Sequence, residues 1–294
     1  MRVEAQIIDR ALGAYLGFAC GDALGATVEF MTPKQIHSRY GTHTEMIGGG
    51  WLGLEAGQVT DDTQMALALG QAIIDNSGWN LTAVADNFVA WLESEPPDIG
   101  NTCRRGILRY CDFGLLQGEP REDDAGNGAC MRNLPVVLAT LGKPDELVSW
   151  TIQQSHITHH NPLSDAATLA LGNMTQRLIN GENVSAGLEE SDRLIEQFEQ
   201  FRFQPYSGKA SGYIVDTVQT VLHYFHSTDS FESCVIATIN QGGDADTTGA
   251  LAGMLAGAHY GLVNIPERWL AQLDPRVAKQ IRAQTLALIQ KAFV

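Results

Sequence analysis

Glycine recurs at every fourth residue in two widely separated apolar segments, and that spacing constrains the fold of this chain more than any other feature. One segment carries Gly249, Gly253 and Gly257; the other carries Gly13, Gly17, Gly21 and Gly25. Residues four apart share one face of an α-helix. A glycine in a helix costs about 1 kcal/mol against alanine, so a full stripe of them makes sense where a second backbone must come close. Both segments are therefore expected to be helices at the centre of the fold. The later one also has an unusual entrance, Gln241-Gly242-Gly243-Asp244-Ala245-Asp246-Thr247-Thr248, which sets two carboxylates and two hydroxyls at the mouth of a narrow helix.

The rest of the chain continues in helical periodicity. Ile7, Ile8, Leu12, Tyr15, Leu16 and Ala19 recur at three and four, which predicts a first helix over 4–24. Further helices are expected at about 33–39, 60–76, 81–93, 102–110, 129–141 (interrupted near Pro135), 145–155, 163–179, 185–201, 211–225, 231–239 and 275–293. Residues 41–58, rich in glycine, read as a loop, as do 117–128, and Pro96-Pro97-Asp98-Ile99-Gly100-Asn101 as a rigid turn. Strand signals are nearly absent, since no Asn-Gly hairpin lies between alternating apolar runs. Hydrophobic residues make up 44% of the chain and charged ones 18%, enough apolar material for one sizeable core. With no composition break or long linker, the expectation is an all-α fold forming one domain over 1–294.

The charge balance excludes one class of partner. A net charge of −15 argues against nucleic-acid binding, which needs clustered Lys and Arg on phosphates. The five cysteines are scattered and odd in number, so a complete disulfide framework is impossible and buried thiols in a reducing compartment are expected. The first ten residues are too charged for a signal peptide. The longest apolar stretch, 249–263, contains His259 and falls short of the roughly 18 residues of a spanning helix. A cytoplasmic protein without a transmembrane segment is expected.

Two acidic clusters carry the chemistry. Thr60-Asp61-Asp62 and Asp244-x-Asp246-Thr247 each put closely spaced carboxylates and a hydroxyl at a helix start, and Glu29 lies just past the first helix. Hard dications such as Mn²⁺ and Mg²⁺ prefer such all-oxygen ligands. If Glu29, Asp61, Asp62, Asp244 and Asp246 converge, five negative charges meet, and two dications would nearly neutralise them. Taken singly the clusters read otherwise: Thr60 as an ordinary N-cap with acidic residues in the first turn, and Glu29 as a solvated loop residue.

Several motifs together resemble the ADP-ribosylglycohydrolase family, nearly end to end. They are Gly21-Asp22-Ala23-Leu24-Gly25 with Glu29, Thr60-Asp61-Asp62-Thr63, Gly126-Asn127-Gly128-Ala129-x-Met131-Arg132, Ile157-Thr158-His159 with Pro162, and Gly242-Gly243-Asp244-Ala245-Asp246-Thr247. Within that family, Val28-Glu29-Phe30-Met31, 46–51, 98–106, Tyr213-Ile214-Val215-Asp216-Thr217 and 240–257 look like the branch that acts on the iron protein of nitrogenase.

The resemblance implies a compact all-α fold and a centre of two divalent cations, Mn²⁺ or Mg²⁺, held by Thr60, Asp61, Asp62, Asp244, Asp246 and Thr247 with Glu29 beside them. It implies hydrolysis of the N-glycosidic bond between ADP-ribose and a protein arginine, with the ADP-ribosylated nitrogenase iron protein as substrate and a PII-type signalling protein as a regulator that holds the enzyme at the membrane. Asp98 is the candidate acid/base and Glu29 its competitor. Asn101 would hydrogen-bond the ribose or the target arginine, Gly126-Asn127-Gly128 would offer backbone N–H groups to the pyrophosphate, His159 would contact a phosphate or ribose, and Tyr213 would stack on the adenine. On sequence alone Asp98 reads equally as a turn residue and Tyr213 as a core residue. The rival functions are a hydrolase of another conjugate, such as serine-linked or O-acetyl-ADP-ribose, and a non-catalytic ADP-ribose binder.

Overall fold

The two glycine-striped segments form an antiparallel helix pair. The computed structural model describes residues 4–293. In it α1 (Ala5–Gly25) runs against α12 (Ala245–Tyr260), and both are buried along nearly their whole lengths beyond the first turns of α1. The fit is backbone on backbone. A methyl group added at Gly21 would sit 2.0 Å from the Gly249 carbonyl oxygen, one at Gly253 2.1 Å from that of Gly17, and one at Gly257 2.0 Å from that of Gly13. No side chain fits at those distances, so the glycines are what allow the two helices to touch.

The remaining helices wrap this pair. In chain order they are α2 (Pro33–Tyr40), α3 (Asp61–Asp75), α4 (Leu81–Glu93), α5 (Asn101–Phe113), α6 (Leu134–Ala139), α7 (Pro144–His156), α8 (Pro162–Ile179), α9 (Val184–Gln197), α10 (Ile214–Ser227), α11 (Phe231–Ile239), α13 (Glu267–Gln272) and α14 (Pro275–Ala292). Among the described residues there is no β-strand, only the isolated bridges Gly49–Leu54 and Gly126–Tyr213. The fold is all-α, as the periodicity predicts. One continuous apolar core, which includes Phe18, Leu69, Phe88, Val218, Leu255 and Leu288, runs through it.

The differences from the expected elements are local. Pro135 does not interrupt a long helix but stands in the first turn of α6, where its missing N–H is not needed. The expected helix over 185–201 divides at Phe198 into α9 and a 3₁₀ turn, Glu199–Phe201. Helix α10 starts at Ile214 rather than 211, because 211–213 form the connection that bridges to Gly126. The expectation did not include α13, six residues long. None of the helices among the described residues is long and apolar enough to cross a membrane.

Candidate functional site

The N-termini of α3 and α12 point into one cleft of about 370 Å³. Helix α3 starts as the capping rule predicts: the Thr60 hydroxyl accepts from the Asp62 N–H at 3.3 Å. Helix α12 starts at Asp244 after two glycines with positive φ, Gly242 and Gly243. Only that conformation lets the chain pass under the Met31 and Ala210 carbonyls, since a methyl at either glycine would lie within 2 Å of one of them. The clusters meet directly, with the Thr247 hydroxyl donating to the Asp62 carboxylate at 3.3 Å.

Of the residues singled out in the sequence, Glu29, Asp61, Asp62, Asp98, Asn101, Gly126, Asn127, Gly128, His159, Asp244, Asp246 and Thr247 all line this cleft. Two do not. Thr60 is fully buried beneath it, with its hydroxyl engaged in the cap. Tyr213 lies beside the cleft, half exposed, its backbone bridged to Gly126. Of the Gly126–Gly128 amides, that of Asn127 is committed to the Gly212 carbonyl at 3.0 Å. The Asn127 side chain instead donates to Asp244 and to the Thr217 hydroxyl.

The carboxylates form two overlapping triads. Glu29, Asp244 and Asp246 present ligand oxygens within 4.8 Å of one another, and so do Asp61, Asp98 and Asp246, so that Asp246 belongs to both. At that separation two carboxylate charges repel by about 3 kcal/mol at an effective dielectric of roughly 20. Burial adds to this. It is the main reason that Glu29 and Asp61 are each pushed up to about 8, with the neighbouring carboxylates as a further cause; for Glu29 the Trp51 hydrogen bond opposes the rise. Asp62 and Asp246 are raised well above the ordinary range for the same reasons. One buried oxygen each of Asp62 and Asp246 has no hydrogen-bond partner among the described residues. Crowded, buried, donor-poor carboxylate oxygens are the set that a hard dication satisfies, so the residues present fit divalent metal.

Two further residues, whose roles do not show in the sequence, build the site. Asp22, fully buried on α1, accepts from the Thr60 N–H (3.0 Å), the Thr63 N–H (3.2 Å) and the Thr63 hydroxyl (2.5 Å), which fixes the first turn of α3 against α1. Burial raises this carboxyl to about 6, against the pull of those donors. Its signal in the sequence is a charge inside an apolar, glycine-striped helix. Trp51 donates from its indole N–H to Glu29 at 2.5 Å, and its ring lies 5.4 Å from that of Phe30, centre to centre. Both aromatic rings are more than half exposed at the mouth.

An all-α fold with a carboxylate-lined cleft between helix N-termini defines a class. The chain belongs to the ADP-ribosylglycohydrolase family, whose sequence model matches residues 3–293. It is 56% identical over 284 residues to the ADP-ribosyl-[dinitrogen reductase] glycohydrolase of Rhodospirillum rubrum, covering 97% of each chain. It is also 32% identical to the ADP-ribosylarginine hydrolase Tri1 of Serratia proteamaculans, over 92% of this chain and 76% of that one. A solved structure described as an ADP-ribosylglycohydrolase-related protein complex superposes with a TM-score of 0.86 at 32% identity, covering 98% of this chain and all of the other.

Proposed function

We propose that the protein is a metal-dependent hydrolase that removes ADP-ribose from an arginine side chain, with the nitrogenase iron protein as its target. The observation that carries this reading is the pair of carboxylate triads sharing Asp246 at the floor of a cleft walled by Gly126, Gly128 and His159. The names and extents of the two relatives support the substrate.

In this reading Asp61, Asp62, Asp244, Asp246 and Thr247 hold two divalent cations, Mn²⁺ or Mg²⁺, with Glu29 beside them and Thr60 shaping the turn. Bound dications lower the pKa of a water and fix ribose hydroxyls. Hydrolysis breaks the bond between the anomeric carbon and the guanidino nitrogen, adds water's hydroxyl to the carbon and returns a proton to the nitrogen. Guanidine leaves well only when protonated, so a carboxyl must manage that proton. Asp98 is the candidate for that role: it is a half-buried carboxyl lining the cleft in the triad with Asp61 and Asp246, and burial raises its pKa, which favours a carboxyl that carries the proton. Glu29 is the competing acid/base, pinned by Trp51. Asn101, in the first turn of α5, lines the same cleft and would orient the ribose or the arginine, with Tyr213 beside the cleft for the adenine.

We further place the protein in the cytoplasm, as a single domain over its length, with a PII-type signalling protein as its regulator; co-purification with a PII protein under ammonium-replete conditions tests that partner. The function is tested by ADP-ribose release from modified iron protein against serine-linked and O-acetyl conjugates. Fast, cation-dependent release from the arginine linkage alone is expected, and Asp246→Ala abolishes it. Preference for another conjugate, no turnover of any, or an unaffected Asp246→Ala protein would overturn the reading.

A further inference from the structure

Beneath the cleft wall lies a buried cation that has no carboxylate partner among the described residues. Arg132 is fully buried, its guanidinium 4.7 Å from the centre of the Phe88 ring. It donates to the side-chain and main-chain oxygens of Gln154 at 2.8 and 2.9 Å, to the Thr158 hydroxyl at 2.7 Å and to the Cys103 sulfur at 3.6 Å. A guanidinium can only donate, so the Thr158 oxygen accepts from it. The Thr158 hydroxyl proton must then go elsewhere. His159 Nδ1 lies 2.7 Å from that oxygen. The competing acceptor, the Cys103 sulfur, is a weak one and already faces Arg132. The hydroxyl therefore donates to Nδ1, and the ring proton is left on Nε2. Burial first, then the neighbouring charges of Arg132 and Arg105, hold the imidazole neutral by moving its pKa well below the usual histidine value.

The ring's outer edge completes the geometry. Nε2 and Cε1 lie against Gly126 and Gly128, where an added methyl would come within 3.0 Å of Nε2 and 2.6 Å of Cε1. Both glycines and His159 line the cleft. We propose that Arg132 and Thr158 are positioning residues that lock His159 as the Nε2–H tautomer, so that the cleft presents a fixed hydrogen-bond donor to an anionic or hydroxyl oxygen of the nucleotide. This rests on the reading of the cleft as an ADP-ribose site. It makes His159 a donor throughout, neither a general base nor a proton carrier. The relay also accounts for a fully buried arginine, whose charge polarises the Thr158 hydroxyl towards the ring.

Two measurements on the full-length Mg²⁺-loaded protein test it. Long-range ¹H–¹⁵N spectra of histidine-labelled protein, with the ring assigned by its loss in His159→Asn, should show a neutral Nε2–H ring that does not titrate between pH 6 and 8. In Thr158→Val the tautomers should mix and ADP-ribose affinity should fall about tenfold, the scale of one hydrogen bond, while Thr158→Ser restores both. An Nδ1–H ring in the wild-type protein, a ring that titrates in that range, or a Thr158→Val protein with unchanged tautomer and affinity would overturn the proposal. If wild-type protein shows the Nε2–H ring yet binds no ADP-ribose, the ligand in the proposal is wrong and so is the functional reading, whereas the lock itself stands on the spectra.

Discussion

At the scale of single residues, the site depends on partners that orient charge without sharing in it. Trp51 does this for Glu29, through one indole N–H at 2.5 Å. Trp51→Phe keeps an aromatic ring beside Phe30 and removes only that donor. The expected outcome is a kcat lower by about tenfold, the scale of a hydrogen bond to a charged group, with an unchanged melting temperature; steady-state kinetics and calorimetry check it. An unchanged kcat would show that Glu29 needs no such anchor. The acidic residues themselves were legible in the sequence, because carboxylates one residue apart beside threonine exceed what a helix cap requires. The roles of Asp22 and Trp51 do not show in the sequence, because their partners lie far away along the chain. Asp22 serves Thr60 and Thr63 from another helix, and Trp51, just after the three consecutive positive-φ glycines Gly48, Gly49 and Gly50, reaches back over helix α2 in sequence to Glu29. Thr60 shows the converse. Its sequence position suits both cap and ligand, and in the fold its hydroxyl makes the cap.

At the scale of elements, the α1–α12 contact decides where the acidic turn of α12 sits. Because glycine meets glycine, α12 lies deep enough for Asp246 and Thr247 to reach Asp61 and Asp62. Gly21→Ala would force a methyl to 2.0 Å from the Gly249 oxygen, backbone that cannot give way. A loss of about 3 kcal/mol is expected from such overpacking, with weakened metal binding because the α12 turn moves. Gly172 on α8 is the control: its added methyl meets nothing closer than 3.4 Å, so Gly172→Ala should be neutral or stabilising by up to about 1 kcal/mol. Urea unfolding of both variants checks the pair, and equal losses would remove the close-packing argument. This contact was readable in advance because a four-residue repeat survives any loop between its copies. Short elements were less readable. Six-residue α13 offers less than two turns of periodicity, and Pro135 looks the same in sequence whether it breaks a helix or begins one.

At the scale of the whole molecule, the crowded carboxylates make stability depend on pH and on cations together. Glu29 and Asp61 stand at about 8 in the folded protein without metal, against ordinary values near 4 in an unfolded chain. A carboxyl raised on folding favours the protonated folded state. Its contribution is fully present below about pH 4 and is lost as pH rises towards 8. Metal-stripped protein should therefore melt at progressively lower temperature from pH 6 to pH 8. Dications favour the ionised form, so the rise in melting temperature on adding Mn²⁺ should grow over the same range, with protons released on binding. Differential scanning fluorimetry with and without chelator checks both trends. A melting temperature that rises with pH in chelator, or a Mn²⁺ effect independent of pH, would contradict the charge assignment. Helix starts some 180 residues apart in sequence converge on Asp246, and the proposed function requires them to hold two cations there. Anomalous diffraction at the manganese edge from crystals soaked in Mn²⁺ and ADP-ribose tests that requirement. Two peaks sharing Asp246 are expected, one towards Asp244 and Glu29 and one towards Asp61 and Asp62, with the ribose over them; a single peak, or none within reach of Asp246, would overturn the dinuclear reading.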